Sequence, residues 1–275
     1  RHMEIYLAYT VKSTDEVLMA LLTQFEFESF EEHEDHFIGY IKKDDLTAAD
    51  QVEIISIITR FTDDYKIDDI EPQNWNAIWE ASFQPVEVGD FCQIRADFHP
   101  KSADVRYDLV INPKMAFGTG HHATTHMVIS FMEQIDFQKK TVFDFGCGTG
   151  ILAILASKLG AEKIDALDIE HESYMNTIEN ASINGVNNIS VFEGDLSVMP
   201  ASSYDVILAN INRNILIRYA AELSQMLVNG GKLLLSGVLA EDSKSVIETY
   251  QTYGIQLVDS KEMAGWMSAY LTKLV

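Results

Sequence analysis

From Thr141 onward, short apolar runs and helically spaced apolar residues take turns along the chain. The runs predict strands at Thr141–Phe145, Lys163–Ile169, Ile189–Glu193, Tyr204–Ile211 and Lys232–Val238. The helical spacings fall between them, at Ile151–Leu159, Glu172–Asn184, Ile215–Leu227 and Glu241–Tyr253. Strands that alternate with helices imply a parallel sheet covered on both faces. Ile255–Lys261 and Trp266–Leu274 follow with only Glu262 to Gly265 between them. That gap is too short for a helical crossover, so the last strand is expected to be antiparallel.

The first seventy residues have a different rhythm. Glu4–Val11 alternates apolar and polar positions, and Thr14 is placed to cap a helix carrying Val17, Leu18, Leu21 and Leu22. Phe25–Phe30 and His36–Ile41 read as strands. Leu46–Phe61 reads as a helix through Val52, Ile55 and Ile58, and Tyr65–Ile70 as a final strand. The order βαββαβ predicts a small ferredoxin-like α+β domain. Pro72–Asp90 reads as a connector in which Trp75, Trp79 and Phe83 share one helical face for packing. Two more strands are expected at Phe91–Ala96 and Asp108–Asn112. The expected division is a domain at 1–71, a linker at 72–90 and a larger domain at 91–275.

Composition narrows the class. The 275 residues are 47% hydrophobic and 23% charged, as in ordinary globular proteins. No apolar run reaches the roughly 18 residues of a membrane span. Arg1-His2-Met3-Glu4 lacks the pattern of a secretory signal, and Arg1-His2 reads as a cloning remnant ahead of Met3. Cys92 and Cys147 are the two cysteines, too few for a disulfide framework, which fits a cytoplasmic protein. Net charge is -22, with 18 acidic and 6 basic side chains in residues 1–73 alone. A phosphate backbone needs a basic patch, so direct nucleic-acid binding is not expected. The acidic first domain serves solubility or steers a basic partner.

The chemistry begins at "DFGCGTG", Asp144 to Gly150, at the carboxyl end of the first strand of the alternating region. Open α/β sheets bind ligands at that end. A dinucleotide fingerprint, G-x-G-x-x-G, would place its third glycine at position 151, which is Ile151. There is no P-loop lysine either. The bare backbone of Gly146 and Gly148 therefore suits a small ligand without a diphosphate. Asp168 ends the second strand, 22 residues after Gly146, where a carboxylate can accept from both ribose hydroxyls. Asp195, after the third strand, is a candidate for an adenine amino group. His121, His122 and His126 lie together, but no Cys or carboxylate completes a metal set at ligand spacing, so no metal is expected.

A parallel sheet that closes with an antiparallel hairpin, carrying a G-x-G-x-G loop, is the class I methyltransferase pattern, a Rossmann-like doubly wound sheet. "NPKMAFGTGHHATTHMVISFME", "DFGCGTGILAILASKLGA", "ILANI", "NWNAIWEASFQPVEVGD" and "GGKLLLSGVL" resemble the methyltransferase family that acts on ribosomal protein L11. The resemblance covers roughly residues 74–270. It implies S-adenosyl-L-methionine as cofactor, held by Thr125, Gly146, Asp168 and Asn210, and a basic large-subunit ribosomal protein as substrate. Two departures touch substrate detail. Asn212 and Arg213 stand where the family has small apolar residues, and Ala264-Gly265-Trp266 replaces its Gly-Glu-Trp.

Such an enzyme must align sulfur, methyl and nitrogen and receive a neutral amine. Asn210, a neutral acceptor at the fourth strand, is expected to orient that amine and to be the catalytic residue. A glutamine or nucleobase methyltransferase would need Asn/Asp-Pro-Pro-aromatic there, and "ANIN" has no proline. Another basic protein as substrate, or a non-catalytic cofactor-binding assembly role, are the remaining alternatives.

Overall fold

The computed structural model of the protein describes residues 5–70, 83–112 and 121–275. Residues 5–70 belong to one compact unit, and 84–112 with 122–275 form a second. Trp75 and Trp79 lie outside the described residues; Phe83 is buried.

In the first unit, β1 (Tyr6–Val11), α1 (Glu16–Leu22), β2 (Phe27–Glu32), β3 (Phe37–Lys42), α2 (Ala48–Thr59) and β4 (Tyr65–Ile70) follow one another. The sheet order is β2-β3-β1-β4, with every neighbouring pair antiparallel. This is the ferredoxin-like arrangement. Asp15, not Thr14, caps α1, its carboxylate accepting the Val17 N–H at 2.9 Å. A Thr47–Asp50 capping box starts α2. Val17 and Val52 are exposed, whereas Leu18, Leu22, Ile54 and Ile58 are fully buried. On α2 the triad Ile54, Ile57, Ile58 fits the helical period better than Val52, Ile55, Ile58, and that face is the one packed.

The second unit opens with β5 (Val86–Val88), β6 (Cys92–Arg95) and β7 (Tyr107–Val110) in a small mixed sheet. A three-residue strand is too short to alternate visibly, so β5 falls inside the stretch that the pattern assigns to a linker. α3 (His121–Met132) follows. The large sheet is built from β8 (Thr141–Phe145), β9 (Lys163–Asp168), β10 (Ile189–Glu193), β11 (Tyr204–Asn210), β12 (Leu227–Leu239), β13 (Ile255–Met263) and β14 (Trp266–Lys273). Its order is β10-β9-β8-β11-β12-β14-β13. The first five strands run parallel, and β14 is antiparallel to both β12 and β13. This is the class I methyltransferase sheet. Ala264 and Gly265 join the hairpin with φ of 53° and 84°, which makes a two-residue turn with both central residues left-handed.

The helices are α4 (Ile151–Lys158), α5 (His171–Ile183), α6 (Arg213–Arg218), α7 (Ala220–Met226) and α8 (Ser243–Gln251). The single helix expected over Ile215–Leu227 is divided at Tyr219 (φ -102°, ψ 13°). Asn212, one of the two departures from the family pattern, caps α6 by accepting the Ile215 N–H at 3.1 Å.

The strands alternate between two covered faces. Phe143, Phe145, Ala209, Leu233 and Leu235 join one core with Leu216, Leu223, Val246 and Tyr250. Asp144, Leu208, Asn210, Leu234 and Ser236 therefore point to the other face. α3 covers that face: Phe131 meets Tyr270 edge-on at 5.9 Å, and Tyr270 is the cross-strand partner of Leu234.

Candidate functional site

The glycine loop leaves β8 with Gly146, Gly148 and Gly150 at φ of 76°, 55° and 80°, a left-handed run that other residues resist. Space is short as well: a Cβ on Gly146 would sit 3.1 Å from Ile211 Cδ1, and one on Gly150 would sit 2.6 Å from Thr177 Cγ2. The loop spends its amides inside the protein. Gly146 and Cys147 donate to Leu167 O at 2.8 and 3.0 Å, and Gly150 donates to Cys147 O at 2.7 Å. Gly148 donates to Asp168 Oδ2 at 2.9 Å. A loop whose N–H groups are committed is poorly made for a diphosphate, which needs such donors. What it offers a ligand is bare Cα surface.

Asp168 ends β9 beside this loop. Its Oδ1 accepts the Glu170 N–H at 2.9 Å, so backbone amides on both oxygens fix the carboxylate plane. Burial raises its pKa, and the Glu170, Gly148 and Ile169 amides pull it back. The next residue, Ile169, is 69% exposed, an apolar side chain that an aromatic base can cover. It escapes the motif reading; the only signal is an isolated apolar residue in the polar run "DIEHE". Asp195 lies two residues past the end of β10. It caps the short turn Leu196–Val198, accepting the Ser197 N–H at 2.9 Å as well as the Ser197 hydroxyl. Those bonds lower its pKa.

Beneath the loop, Asp144 is fully buried, and neither carboxylate oxygen has a partner in hydrogen-bond geometry. Burial, with the charge of Asp168 second, pushes its pKa up to about 7; the Ala153 amide offsets this only in part. The carboxyl is therefore easily neutralised.

Asn210 ends β11 on the same face, directly paired with Ser236 of β12. Gly237, at φ 85°, lies beside it: a Cβ there would come within 3.0 Å of Asn210 Oδ1 and 2.9 Å of Ile211 O. The strand pairing shifts here, between Leu235 and Val238, so the bulge lets β12 pass close to the Asn210 amide. Thr125 on α3 is fully buried with no partner for Oγ1. Phe131, later on α3, packs against Tyr270, the cross-strand partner of Leu234. Gly148 and Asp168 are thus joined by a direct bond, and Gly146 is tied to Leu167, the residue before Asp168. Thr125 lies on α3, which packs on the face of the sheet that carries Asn210.

His122 Nε2 lies 3.2 Å from Pro85 O. Burial first, then His122 and Lys261, lowers the His126 pKa. Among the described residues, no three His, Cys, Asp or Glu side chains are grouped to hold a metal.

These features fit a nucleoside carrying an amino-acid tail: Asp168 for a ribose diol, Ile169 for a flat base, bare loop backbone and the orphaned Thr125 hydroxyl for a zwitterionic end. Comparison with known proteins agrees. The family model for ribosomal protein L11 methyltransferase (PrmA) matches residues 8–273. A ribosomal protein L11 methyltransferase from Porphyromonas gingivalis is 38% identical over 96% of this chain and 92% of its own. One from Chlorobaculum tepidum is 36% identical over 98% and 96%. The crystal structure of ribosomal protein L11 methylase from Lactobacillus delbrueckii subsp. bulgaricus superposes with a TM-score of 0.63 at 26% identity. It covers 70% of this chain and all of that one. The chain belongs to the ribosomal protein L11 methyltransferase family.

Proposed function

We propose that the protein transfers methyl groups from S-adenosyl-L-methionine to amino groups of ribosomal protein L11, lysine side chains first and the N-terminal amine as a further candidate. The observation that carries this reading is the placement of Asn210. A neutral amide ends the strand next to the glycine loop, with Gly237 leaving it room.

When bound, the cofactor supplies a methyl group already activated on a sulfonium. The protein's own residues do the rest. Asp168, Gly146, Gly148 and Thr125 hold the ligand, and Asn210 orients its amino-acid end and the incoming amine. That amine must arrive neutral, and with an ordinary lysine pKa near 10.4, deprotonation at pH 7 costs roughly 4.6 kcal/mol. A desolvated site lowers this cost, while a carboxylate in place of Asn210 would raise it. Alignment then contributes most of the rate.

Residues 1–71 act as the recognition domain and 91–275 as the methyltransferase domain. The 18 acidic side chains of residues 1–73 favour a basic protein partner and disfavour nucleic acid. No helix among the described residues is long and apolar enough to cross a membrane, which is compatible with work in the cytoplasm.

Purified protein, labelled cofactor and purified ribosomal protein L11 provide the test. Label should enter L11 and be recovered on lysine. Label in a different basic protein, with none in L11, would overturn the substrate. Raising salt should slow association with L11, because exposed charges are screened.

A further inference from the structure

Holding a glycine loop's amides inward or outward fixes where its carbonyls go, and buried carbonyls need donors. The Gly148 and Thr149 carbonyls turn away from the ligand side and meet α5. Thr177 Oγ1 donates to Gly148 O at 2.9 Å, and Asn180 Nδ2 donates to Thr149 O at 2.8 Å. Both side chains are completely buried. Asn180 is also tied elsewhere: its Oδ1 accepts the Asn112 N–H at 3.0 Å. One turn further on, Asn184 forms a two-way bond with β7, accepting the Val110 N–H at 3.0 Å and donating to Val110 O at 2.7 Å. α5 thus holds Val110 of β7 through Asn184 and Asn112 just beyond it through Asn180 and Glu179, and of these three only Asn180 reaches on to the glycine loop.

We propose that Thr177 and Asn180 are positioning residues of the cofactor site, fixing the peptide planes at Gly148 and Thr149, and that Asn180 couples this loop to the chain leaving β7 at Asn112. The inference rests on the glycine loop being the cofactor loop. With Asp168 holding the Gly148 N–H and Thr177 the Gly148 carbonyl, both polar groups of that residue are anchored from opposite sides. Without the carbonyl donors, the peptides at Gly148 and Thr149 can rotate, since glycine places little steric limit on them. The bare surface that meets the ligand is then lost for part of the time.

Asn184 provides an internal control, because it makes the same kind of bond to the same strand without touching the loop. Calorimetric titration of full-length protein with S-adenosylhomocysteine, beside urea melts, separates the two roles. Thr177→Val keeps the shape and removes the hydroxyl, so it should weaken binding about tenfold, the scale of one lost hydrogen bond. Thr177→Ser should restore most of the affinity. Asn180→Ala should weaken binding at least as much, whereas Asn184→Ala should lower the melt midpoint and leave affinity within about twofold. Equal affinities for wild type and Thr177→Val would overturn the proposal. So would equal losses in Asn180→Ala and Asn184→Ala. If Asn180→Ala does not fold, the Thr177 pair decides. A wild type that binds no ligand would instead refute the functional reading beneath it.

Discussion

Asn210 Oδ1 occupies the space beside Gly237, 3.0 Å from where a Cβ on that glycine would stand. The positive φ of Gly237 and its lack of a side chain serve the same end, which is room for the Asn210 amide, the proposed methyl-transfer point. Gly237→Ala should therefore displace Asn210 and lower the methyl-transfer rate, by about a hundredfold for a shift near 1 Å. Cofactor affinity should fall less than the rate. Steady-state kinetics with both substrates varied will show whether the loss lies in kcat.

Asn210→Asp keeps the shape and adds a negative charge. It should hold the incoming amine in its charged form, lower activity at pH 7 and move the rate profile toward higher pH. A pH–rate profile that overlays the wild type, with the same maximum, would remove Asn210 from contact with the amine.

Asp168→Ala deletes the acceptor proposed for the ribose hydroxyls and also the anchor of the Gly148 amide. Cofactor binding should weaken by roughly 1.5–3 kcal/mol, the range for hydrogen bonds to a charged group. Calorimetry on this variant that returns wild-type affinity would exclude the assignment.

Asp144 predicts a pH dependence of stability. Its pKa is near 3.9 unfolded and about 7 folded. The folded state then binds more protons than the unfolded state between those values, so stability falls as pH rises from about 4 through 7. Asp144→Asn should flatten this slope and raise the melting temperature at pH 8, with little change at pH 4. Parallel melts across that range are the check, and an unchanged slope would show that folding leaves the Asp144 pKa where it is in the unfolded chain.

Ala264 carries a φ of 53° in the β13–β14 turn, where a Cβ costs about 1–2 kcal/mol. Ala264→Gly should stabilise the protein, though by less than that figure, because glycine also gains freedom when unfolded. A denaturant midpoint that drops in the variant would mean the turn gains from its methyl group.

The order of strands and helices was legible because the buried parallel strands are long apolar runs and the helices between them repeat at 3.6. β5 was not legible, since three residues carry no period. The break at Tyr219 was hidden because apolar spacing continues through it. That the loop and Asp168 lie together could be read from type and offset alone. Ile169 and Gly237 could not, since their roles depend on exposure and on what lies across the bulge. Thr177 and Asn180 were hidden for a related reason: their partners are carbonyl groups, which every residue possesses. Asp195 caps the turn at Leu196–Val198, a role that residue type and position alone did not reveal.

The place of β14 in the sheet sets an order of assembly. It lies between β12 and β13 but comes later in the chain than either. Until residues 266–273 have been made and inserted, β12 presents an unpaired edge and β13 has no neighbour at all. A nascent or truncated chain ending near Met263 would hold a glycine loop and Asp168 in a sheet that is open beside Ser236 and Gly237, with hydrophobic strands ready to pair with other chains. Premature termination is therefore expected to yield aggregates rather than a weakened enzyme.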